Sequence, residues 1–205
     1  MIPTMAGIEQ TTTATMATLR AACLALLVVS CSSTPEGPPR VQDDICAIFD
    51  ERPHWRDATQ ASALRWRAPI EVQMAIMWKE SGFRPQVRPP EEYALGFIPT
   101  GPRSSAFGYP QAIDGTWDWY REETGNGGAR RDDFEDAADF IGWYMAKTRR
   151  SNGVRTNDAF GHYIAYHQGH TGYRRGTWRG KAWLVGVARK VAARAARYRG
   201  QLSRC

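Results

Sequence analysis

The apolar side chains of this chain mostly follow the spacing of α-helices, recurring three and four residues apart. No segment alternates apolar and polar residues for long enough to predict an ordinary β-strand. The predicted helices cover residues 55–66, 70–80, 114–123, 132–150, 157–167 and 183–202. Residues 85–105 are predicted to form a proline-rich loop. The expected fold class is therefore mostly α, with a single helical domain.

The segment 70–80 differs from the other predicted helices because its apolar residues surround most of the helix. A helix that is apolar on nearly all sides is expected to lie at the centre of a domain. Pro69 precedes it, and proline suits a helix start because no N–H is needed there. Glu80 stands at the other end, where burial and the negative end of the helix dipole raise the pKa of a carboxyl group. Such an acid can donate a proton near neutral pH, whereas a solvated Glu80 paired with Lys79 or Arg84 would have no catalytic meaning.

The predicted helix 183–202 carries an apolar stripe from Trp183 to Leu202, with a basic face opposite. We expect that face to be solvated, or to meet an anionic surface. The formal net charge of +6 suits nucleic acid, a phospholipid surface or an acidic polymer, and does not choose between them. Hydrophobic residues make up 42% of the chain, which excludes a disordered protein.

The first thirty residues have the pattern of an export signal. Nine apolar residues at 21–29 are too few for a membrane-spanning helix, which needs about 20, but fit a signal-peptide core. Val28, Val29 and Ser30 before Cys31 resemble a lipobox, which implies cleavage and acylation at Cys31. The predicted organisation is a lipoprotein signal peptide at 1–30, a lipidated flexible tether at 31–42 and a folded domain at 43–205. The alternative is a buried helix that ends in an ordinary cysteine.

Removal of the signal peptide would leave two cysteines besides Cys31. Cys46 and Cys205 flank the predicted domain, and such a pair in an oxidising compartment predicts one disulfide. Two free buried thiols are the alternative.

Three short motifs follow one another in the predicted domain: Glu-Ser-Gly-Phe at 80–83, Gly-Tyr-Pro-Gln at 108–111 and Ala-Tyr-His-Gln-Gly at 165–169. In this order they resemble the signatures of lytic transglycosylases with a soluble-lytic-transglycosylase (SLT) domain. That family has Glu-Ser-x-Phe, Gly-Leu-Met-Gln and Ala-Tyr-Asn-x-Gly, and the resemblance covers roughly residues 65–172. It implies a lysozyme-like fold and an enzyme that cleaves the β-1,4 bond between N-acetylmuramic acid and N-acetylglucosamine, leaving a 1,6-anhydro end.

The resemblance also implies roles for single residues. Glu80 would be the only catalytic carboxylate, first protonating the leaving oxygen and then deprotonating the muramic 6-hydroxyl. Ser81 would form hydrogen bonds near Glu80, Gln111 would contact sugar, and the hydroxyl of Tyr166 would point at the catalytic carboxylate. His167 stands where the family has Asn, and we expect His167 and His170 to line the sugar groove or to form hydrogen bonds near Glu80.

The other departures lie in the second motif and before it. Tyr109 and Pro110 replace Leu and Met, and proline removes a backbone donor there. Gly108 follows Glu80 by 28 residues, a longer interval than in the family. The apolar side chains of the 85–105 loop would either cover the groove as a lid or pack on the domain.

His162, His167 and His170 raise the question of a metal, but their spacing matches no usual zinc motif and no cysteine lies nearby. We expect no metal and no cofactor. Trp117, Trp119 and Trp143 are candidates for sugar-stacking walls, although most tryptophans of a helical domain belong to the core.

The sequence thus predicts a lipid-anchored peptidoglycan lytic transglycosylase, a monomer at the periplasmic side of the cell envelope, held at the outer membrane in a cell that has one. Its partners would be glycan strands and, through the lipid, a membrane; predicted export disfavours nucleic acid. A lysozyme-type peptidoglycan hydrolase and a non-catalytic peptidoglycan-binding lipoprotein are the alternatives.

Overall fold

The computed structural model describes residues 37–205, so the predicted signal peptide, Cys31 and the tether up to residue 36 lie outside the described residues. Within that range seven α-helices account for most of the chain. They are α1 (Ile45–Glu51), α2 (Pro53–Trp66), α3 (Ile70–Ser81), α4 (Asp114–Thr124), α5 (Phe134–Asn152), α6 (Ala159–Arg175) and α7 (Ala182–Leu202). A hairpin of β1 (Glu91–Ala94) and β2 (Ile98–Pro102) and a 3-10 turn, Thr177–Gly180, complete the described elements. The prediction of a mostly α domain is confirmed.

Helix α3 lies at the centre of this domain, as its apolar circumference predicts. It packs against α2, α5 and α7, and residues 71–77 are all buried. The carboxylate of Glu71, buried among them, accepts a hydrogen bond from Arg199 at 2.8 Å. Gly82 ends the helix in the left-handed conformation that favours glycine. The central position of α3 explains how Glu80 comes to be surrounded by protein.

Helix α6 does not stop where the sequence predicts. The helical segment continues to Arg175, but Gly169 interrupts it with φ 70° and ψ 161°. That conformation is accessible essentially only to glycine. The predicted stop at Gly169 is therefore a kink, after which the chain resumes a helix in a new direction.

Most residues of the predicted apolar stripe of α7 are buried, but the first of them is exposed. Leu184, Ala188 and Val191 are buried, whereas Trp183 is 59% exposed. On the basic face, Arg194 is not merely solvated: its guanidinium lies 3.6 Å from the ring centroid of Trp78 and pairs with Asp43. The structure thus corrects the prediction for Trp183 and for Arg194.

The 85–105 segment contains the hairpin that the sequence analysis missed. Its strands pair Glu91 with Pro102 and Ala94 with Ile98, with an irregularity after Glu92. Strands of four and five residues are too short to show alternation, and the turn at Leu95 lacks the Asn-Gly or Asp-Gly pair that marks many hairpins.

The two ends of the described chain are joined by the predicted disulfide. Cys46 in α1 and Cys205 are bonded, with their Cα atoms 5.8 Å apart. The chain before α1 is also held on the domain, because Pro39 is buried and Gln42 accepts a hydrogen bond from the Tyr198 hydroxyl at 2.5 Å. Residues 37–42, assigned above to a flexible tether, therefore have contacts with the domain.

No helix in the range 37–205 is both long and apolar enough to cross a bilayer.

Candidate active site

One cleft of about 600 Å³ brings together four separate parts of the chain. Glu80 enters it from the end of α3, and residues from 104 to 116 form one wall. Phe140 and Tyr144 of α5 lie along it, and residues 166–169 of α6 close it. The three motifs, far apart in sequence, therefore meet at one site.

The turn after Glu80 is built to hold that residue in place. Gly82 and Phe83 both have positive φ, 59° and 60°, which for phenylalanine is a strained conformation. Phe83 is fully buried and its ring centroid lies 5.6 Å from that of Trp55. Packing of Phe83 thus stabilises a sharp reversal of the chain three residues beyond Glu80, at the last residue of the Glu-Ser-Gly-Phe motif.

The carboxyl group of Glu80 has the properties of a proton donor. Burial raises its pKa from the ordinary 4.5 to about 7. A hydrogen bond with the side chain of Tyr163 and the charge of Lys79 act in the opposite direction, but more weakly. A substantial fraction of Glu80 is therefore protonated near neutral pH, as its position at the end of a central helix predicts.

A second tyrosine, besides the one that the motif suggested, lies at Glu80. Burial raises the pKa of Tyr166, and so does the charge of Glu80, so that residue is close to the carboxyl group, but Tyr166 is not its hydrogen-bond partner. Tyr163 forms the hydrogen bond with Glu80, while the hydroxyl of Tyr166 donates to the backbone oxygen of Pro110 at 2.5 Å. Both tyrosines lie on α6 three residues apart and so share a face of the helix. That spacing is the signal that could have drawn attention to Tyr163, although it could not show which hydroxyl reaches Glu80.

The bond from Tyr166 joins the second and third motifs directly. Gln111, which lines the cleft, donates from its side-chain nitrogen to the backbone oxygens of Val87 and Gly108, both at 2.8 Å. Its side-chain oxygen is the atom that remains to accept a hydrogen bond from substrate. Gly108 has φ 75°, and a Cβ there would lie 2.1 Å from the backbone oxygen of Arg131, so only glycine fits.

Ser81 is placed differently from the other motif residues. Its side chain is buried, its hydroxyl donates to the backbone oxygen of Met77 at 3.2 Å, and it does not line the cleft. Ser81 therefore lies inside the protein at the end of α3, and not at the surface that a substrate would touch.

His167 lines the cleft, as expected, and belongs to a small polar group. Its Nδ1 lies 3.0 Å from the side-chain nitrogen of Gln168, and its ring meets Trp183 edge-on at 5.2 Å between centroids. Burial, Lys181 and Lys79 all lower the pKa of His167. The imidazole is therefore predominantly neutral at neutral pH.

The other two histidines do not line the cleft, so the expectation for His170 is wrong, although its ring packs behind the cleft residue Tyr144. His170 stacks on Tyr144 and its Nε2 lies 3.1 Å from the Thr148 hydroxyl. His162 is buried, and burial lowers its pKa to about 4. In the part of the chain that the structure describes, no three histidine, cysteine or acidic side chains are grouped so that they could hold a metal ion.

Arg131 is a further residue that the sequence analysis missed. Its guanidinium donates to the backbone oxygens of Ser105 and Ala112 at 3.0 and 2.8 Å and pairs with Asp114 at 2.8 Å. These three partners span the cleft wall formed by residues 104–116. Arg131 thus fixes the wall from behind, and only the three-dimensional path of the chain could reveal it.

The three candidate sugar-stacking tryptophans do not line the cleft. Trp117 and Trp143 are buried in the core, which excludes them as cleft walls. Trp119 is partly exposed but does not line the cleft; its ring contacts Trp143 and His170. The exposed indole beside the cleft is Trp183, which the periodicity had assigned to the core stripe.

Comparison with known protein families gives a match over most of the chain. The sequence profile of a family described as "Transglycosylase SLT domain" matches residues 19–205. The match includes the three motifs and every residue named above as lining the cleft. A search of curated proteins found no match.

Proposed function

Because the chain belongs to the transglycosylase SLT domain family, we propose that it is a peptidoglycan lytic transglycosylase with Glu80 as its catalytic acid. It would cleave the β-1,4 bond between N-acetylmuramic acid and N-acetylglucosamine and leave a 1,6-anhydro end. The observation that carries the proposal is a carboxyl group of raised pKa in a sugar-sized cleft where the three motifs meet.

The proposed reaction uses one carboxyl group twice. Protonated Glu80 gives its proton to the glycosidic oxygen, and the bond from that oxygen to the muramic C1 breaks. Glu80, now ionised, takes the proton of the muramic 6-hydroxyl, whose oxygen bonds to C1 and closes the anhydro ring. The carboxyl group ends protonated again, so the cycle needs no water.

Tyr163 would act on the second half of this cycle. Its hydrogen bond with Glu80 stabilises the ionised carboxylate, which is the form that exists after the first proton transfer. The bond therefore keeps the pKa of Glu80 from rising beyond the range in which the group can both give and accept a proton.

The acidic residues of the cleft support a single-carboxylate reaction. Glu80 is the one acidic side chain among the described residues that line the cleft. Glycosidases that use a pair of carboxyl groups need the second one at a defined distance across the scissile bond. A lysozyme-type hydrolase on the same fold, with water as acceptor, is the alternative that the product analysis decides.

The decisive experiment is digestion of purified peptidoglycan by the full chain and by its Glu80→Gln variant, with products identified by mass. We expect anhydro-muropeptides from the wild type and at least a thousandfold less from Glu80→Gln, because the amide cannot donate the proton. Glu122→Gln, an exposed glutamate on α4 outside the cleft, is the matched control and should keep full activity.

Other outcomes would contradict parts of the proposal. Products with reducing ends would identify a hydrolase. Binding of the wall by both proteins without any release would favour a non-catalytic binding protein. Equal activity of Glu80→Gln and wild type would show that another group is the acid.

We further propose that the protein acts at the cell envelope, anchored through lipid on Cys31. The support is the resemblance of residues 28–31 to a lipobox. Cells fed a labelled fatty acid should incorporate it into the wild-type chain and not into Cys31→Ala. Label retained in Cys31→Ala would exclude this anchor.

A further inference from the structure

The cleft ends beside an exposed aromatic side chain that the proposed reaction does not use. The indole of Trp183 is 59% exposed, although Leu184 and Ala188 of the same helix are buried. It packs edge-on against His167, which lines the cleft. An exposed indole is an apolar surface, and a pyranose ring offers an apolar face of C–H groups that fits such a surface.

A chain of hydrogen bonds fixes the orientation of His167. Lys181 donates from Nζ to the side-chain oxygen of Gln168 at 2.8 Å. Because lysine can only donate, this contact determines which end of the Gln168 amide faces it. The NH₂ end therefore faces Nδ1 of His167, at 3.0 Å. Nδ1 must be the acceptor, so a neutral imidazole carries its proton on Nε2.

The charges around His167 favour this neutral form. Lys79 faces it from α3 and Lys181 from the start of α7, while Tyr163 lies one turn earlier on α6 with its ring 6.4 Å away. Both lysines oppose protonation, and partial burial acts in the same direction. Protonation of Nδ1 would also place two donors, the imidazole N–H and the Gln168 amide, against each other.

We propose that Trp183 and His167 form a subsite for a neutral N-acetylated sugar at this end of the cleft. Trp183 stacks on the apolar face of the pyranose, and Nε2–H of His167 donates to one of its oxygen acceptors. Gln168 and Lys181 are positioning residues that hold the imidazole in the Nε2–H tautomer. The subsite rests on the proposed function, because it presupposes a glycan strand in the cleft.

Binding is measured separately from cleavage, so that the two proposals can fail independently. The protein is the full chain carrying Glu80→Gln, and the probe is a tetramer of N-acetylglucosamine, titrated by calorimetry. We expect Trp183→Ala to weaken binding about tenfold and His167→Ala about fivefold. His167→Gln should bind within about twofold of its parent, because its amide N–H can replace the Nε2 donor.

Matched controls exclude general effects of losing apolar area or charge. Leu64→Ala removes an exposed apolar side chain on α2, and Lys190→Met removes an exposed charge on α7. Both should leave the affinity unchanged. If Trp183→Ala binds as tightly as its parent, the subsite is wrong, even if the wild type releases anhydro-muropeptides. If the parent binds the tetramer and the wild type has no lytic activity, the proposed reaction fails and the subsite stands.

The positioning role is tested by a signal that a merely structural role would not change. Nitrogen-15 NMR of the histidine side chains distinguishes the two neutral tautomers, and loss of one signal set in His167→Gln assigns that residue. We expect the Nε2–H tautomer in the parent, a mixture in Lys181→Met, and recovery in Lys181→Arg, since arginine also only donates. An Nδ1–H tautomer in the parent, or an unchanged tautomer in Lys181→Met, would overturn the positioning role of Gln168 and Lys181.

Discussion

At the scale of single residues, the two functions proposed for Glu80 place opposite demands on its pKa. In the proposed reaction, the carboxyl group must be protonated to donate a proton to the glycosidic oxygen and ionised to accept the 6-hydroxyl proton. Its pKa of about 7 is higher than that of a solvated glutamate, so the protonated form is populated near neutral pH. The same pKa is low enough for the group to ionise in that pH range. Because the starting form is the protonated one, we expect the rate to fall as the pH rises through about 7.

Substitution of Tyr163 by Phe tests the contact that sets this pKa. The variant loses the hydrogen bond that stabilises ionised Glu80, so the pKa of Glu80 rises and the alkaline limb of the pH–rate profile moves to higher pH. The maximal rate should fall about tenfold or more, the effect of one hydrogen bond to a charged group. The measurement is product release from peptidoglycan between pH 5 and 9.

Tyr173→Phe is the control for that experiment, since Tyr173 lies beyond the kink of α6, where its ring stacks on Trp178. Its profile should coincide with that of the wild type. An alkaline limb that moves to lower pH in Tyr163→Phe would contradict the assigned contact.

What could be predicted at the residue scale depended on local sequence alone. The raised pKa of Glu80 follows from its place at the end of an apolar helix, and that was visible beforehand. The partner of Glu80 was not, because which tyrosine of α6 reaches the carboxyl group depends on how the helices of the domain pack in three dimensions. Tyr163 and Tyr166 lie one helical turn apart, and their spacing alone does not determine which hydroxyl forms the hydrogen bond with Glu80.

At the scale of elements, six of the seven described α-helices were predictable, because most of them bury one face and end at a glycine with positive φ. Gly125 and Gly153, for example, both take the left-handed conformation at the ends of α4 and α5. The same rule predicted a helix end at Gly169, where the structure has a kink, because a glycine that can end a helix can also kink it. The short helix α1, seven residues long, was not predicted because it is too short to show a periodic stripe. The hairpin was not predicted because its strands are stabilised by pairing with each other and not by burial of one face, so their sequence shows no alternation.

The hairpin bears on whether its apolar residues form a lid or pack on the domain. Leu95 and Phe97 are 81% and 72% exposed, so packing on the described domain is excluded for these two. The chain after β2 runs directly into the cleft wall, at Ser104 and Ala106. The lid remains the alternative to test.

A double substitution, Leu95→Ser with Phe97→Ser, separates a lid from a neutral loop. Stability should change by less than about 0.5 kcal/mol, because exposed side chains contribute little. If the tip covers a bound strand, release of muropeptides should fall about tenfold, while Leu64→Ser, an equally exposed position on α2, should have no effect. Unchanged release would exclude the lid.

At the scale of the whole molecule, the disulfide joins the two ends of the described domain. Cys46 and Cys205 are 159 residues apart in sequence. Closure of so long a loop restricts the unfolded chain strongly, by about 5 kcal/mol in the chain-entropy description. The pairing could be predicted from two terminal cysteines; the docking of residues 39–42 beside them could not, because a Pro-rich segment has no periodicity to show which side chains are buried.

Replacing both cysteines by serine should therefore lower the free energy of unfolding by about 5 kcal/mol, measured by urea denaturation. The wild type in excess reductant should behave like the double variant, and the double variant should be insensitive to reductant. A loss below 1 kcal/mol would mean that the reduced chain already keeps its ends together.

The bond between Cys46 and Cys205 also makes the order of the motifs along the chain immaterial to the site. With the two Cα atoms 5.8 Å apart, a short linker could join residue 205 to residue 43. New ends could then be opened at Gly96, in the exposed turn of the hairpin. In such a circular permutant the ribosome would make the 108–111 motif first, then 165–169 and finally Glu80, yet the same side chains would surround the same cleft.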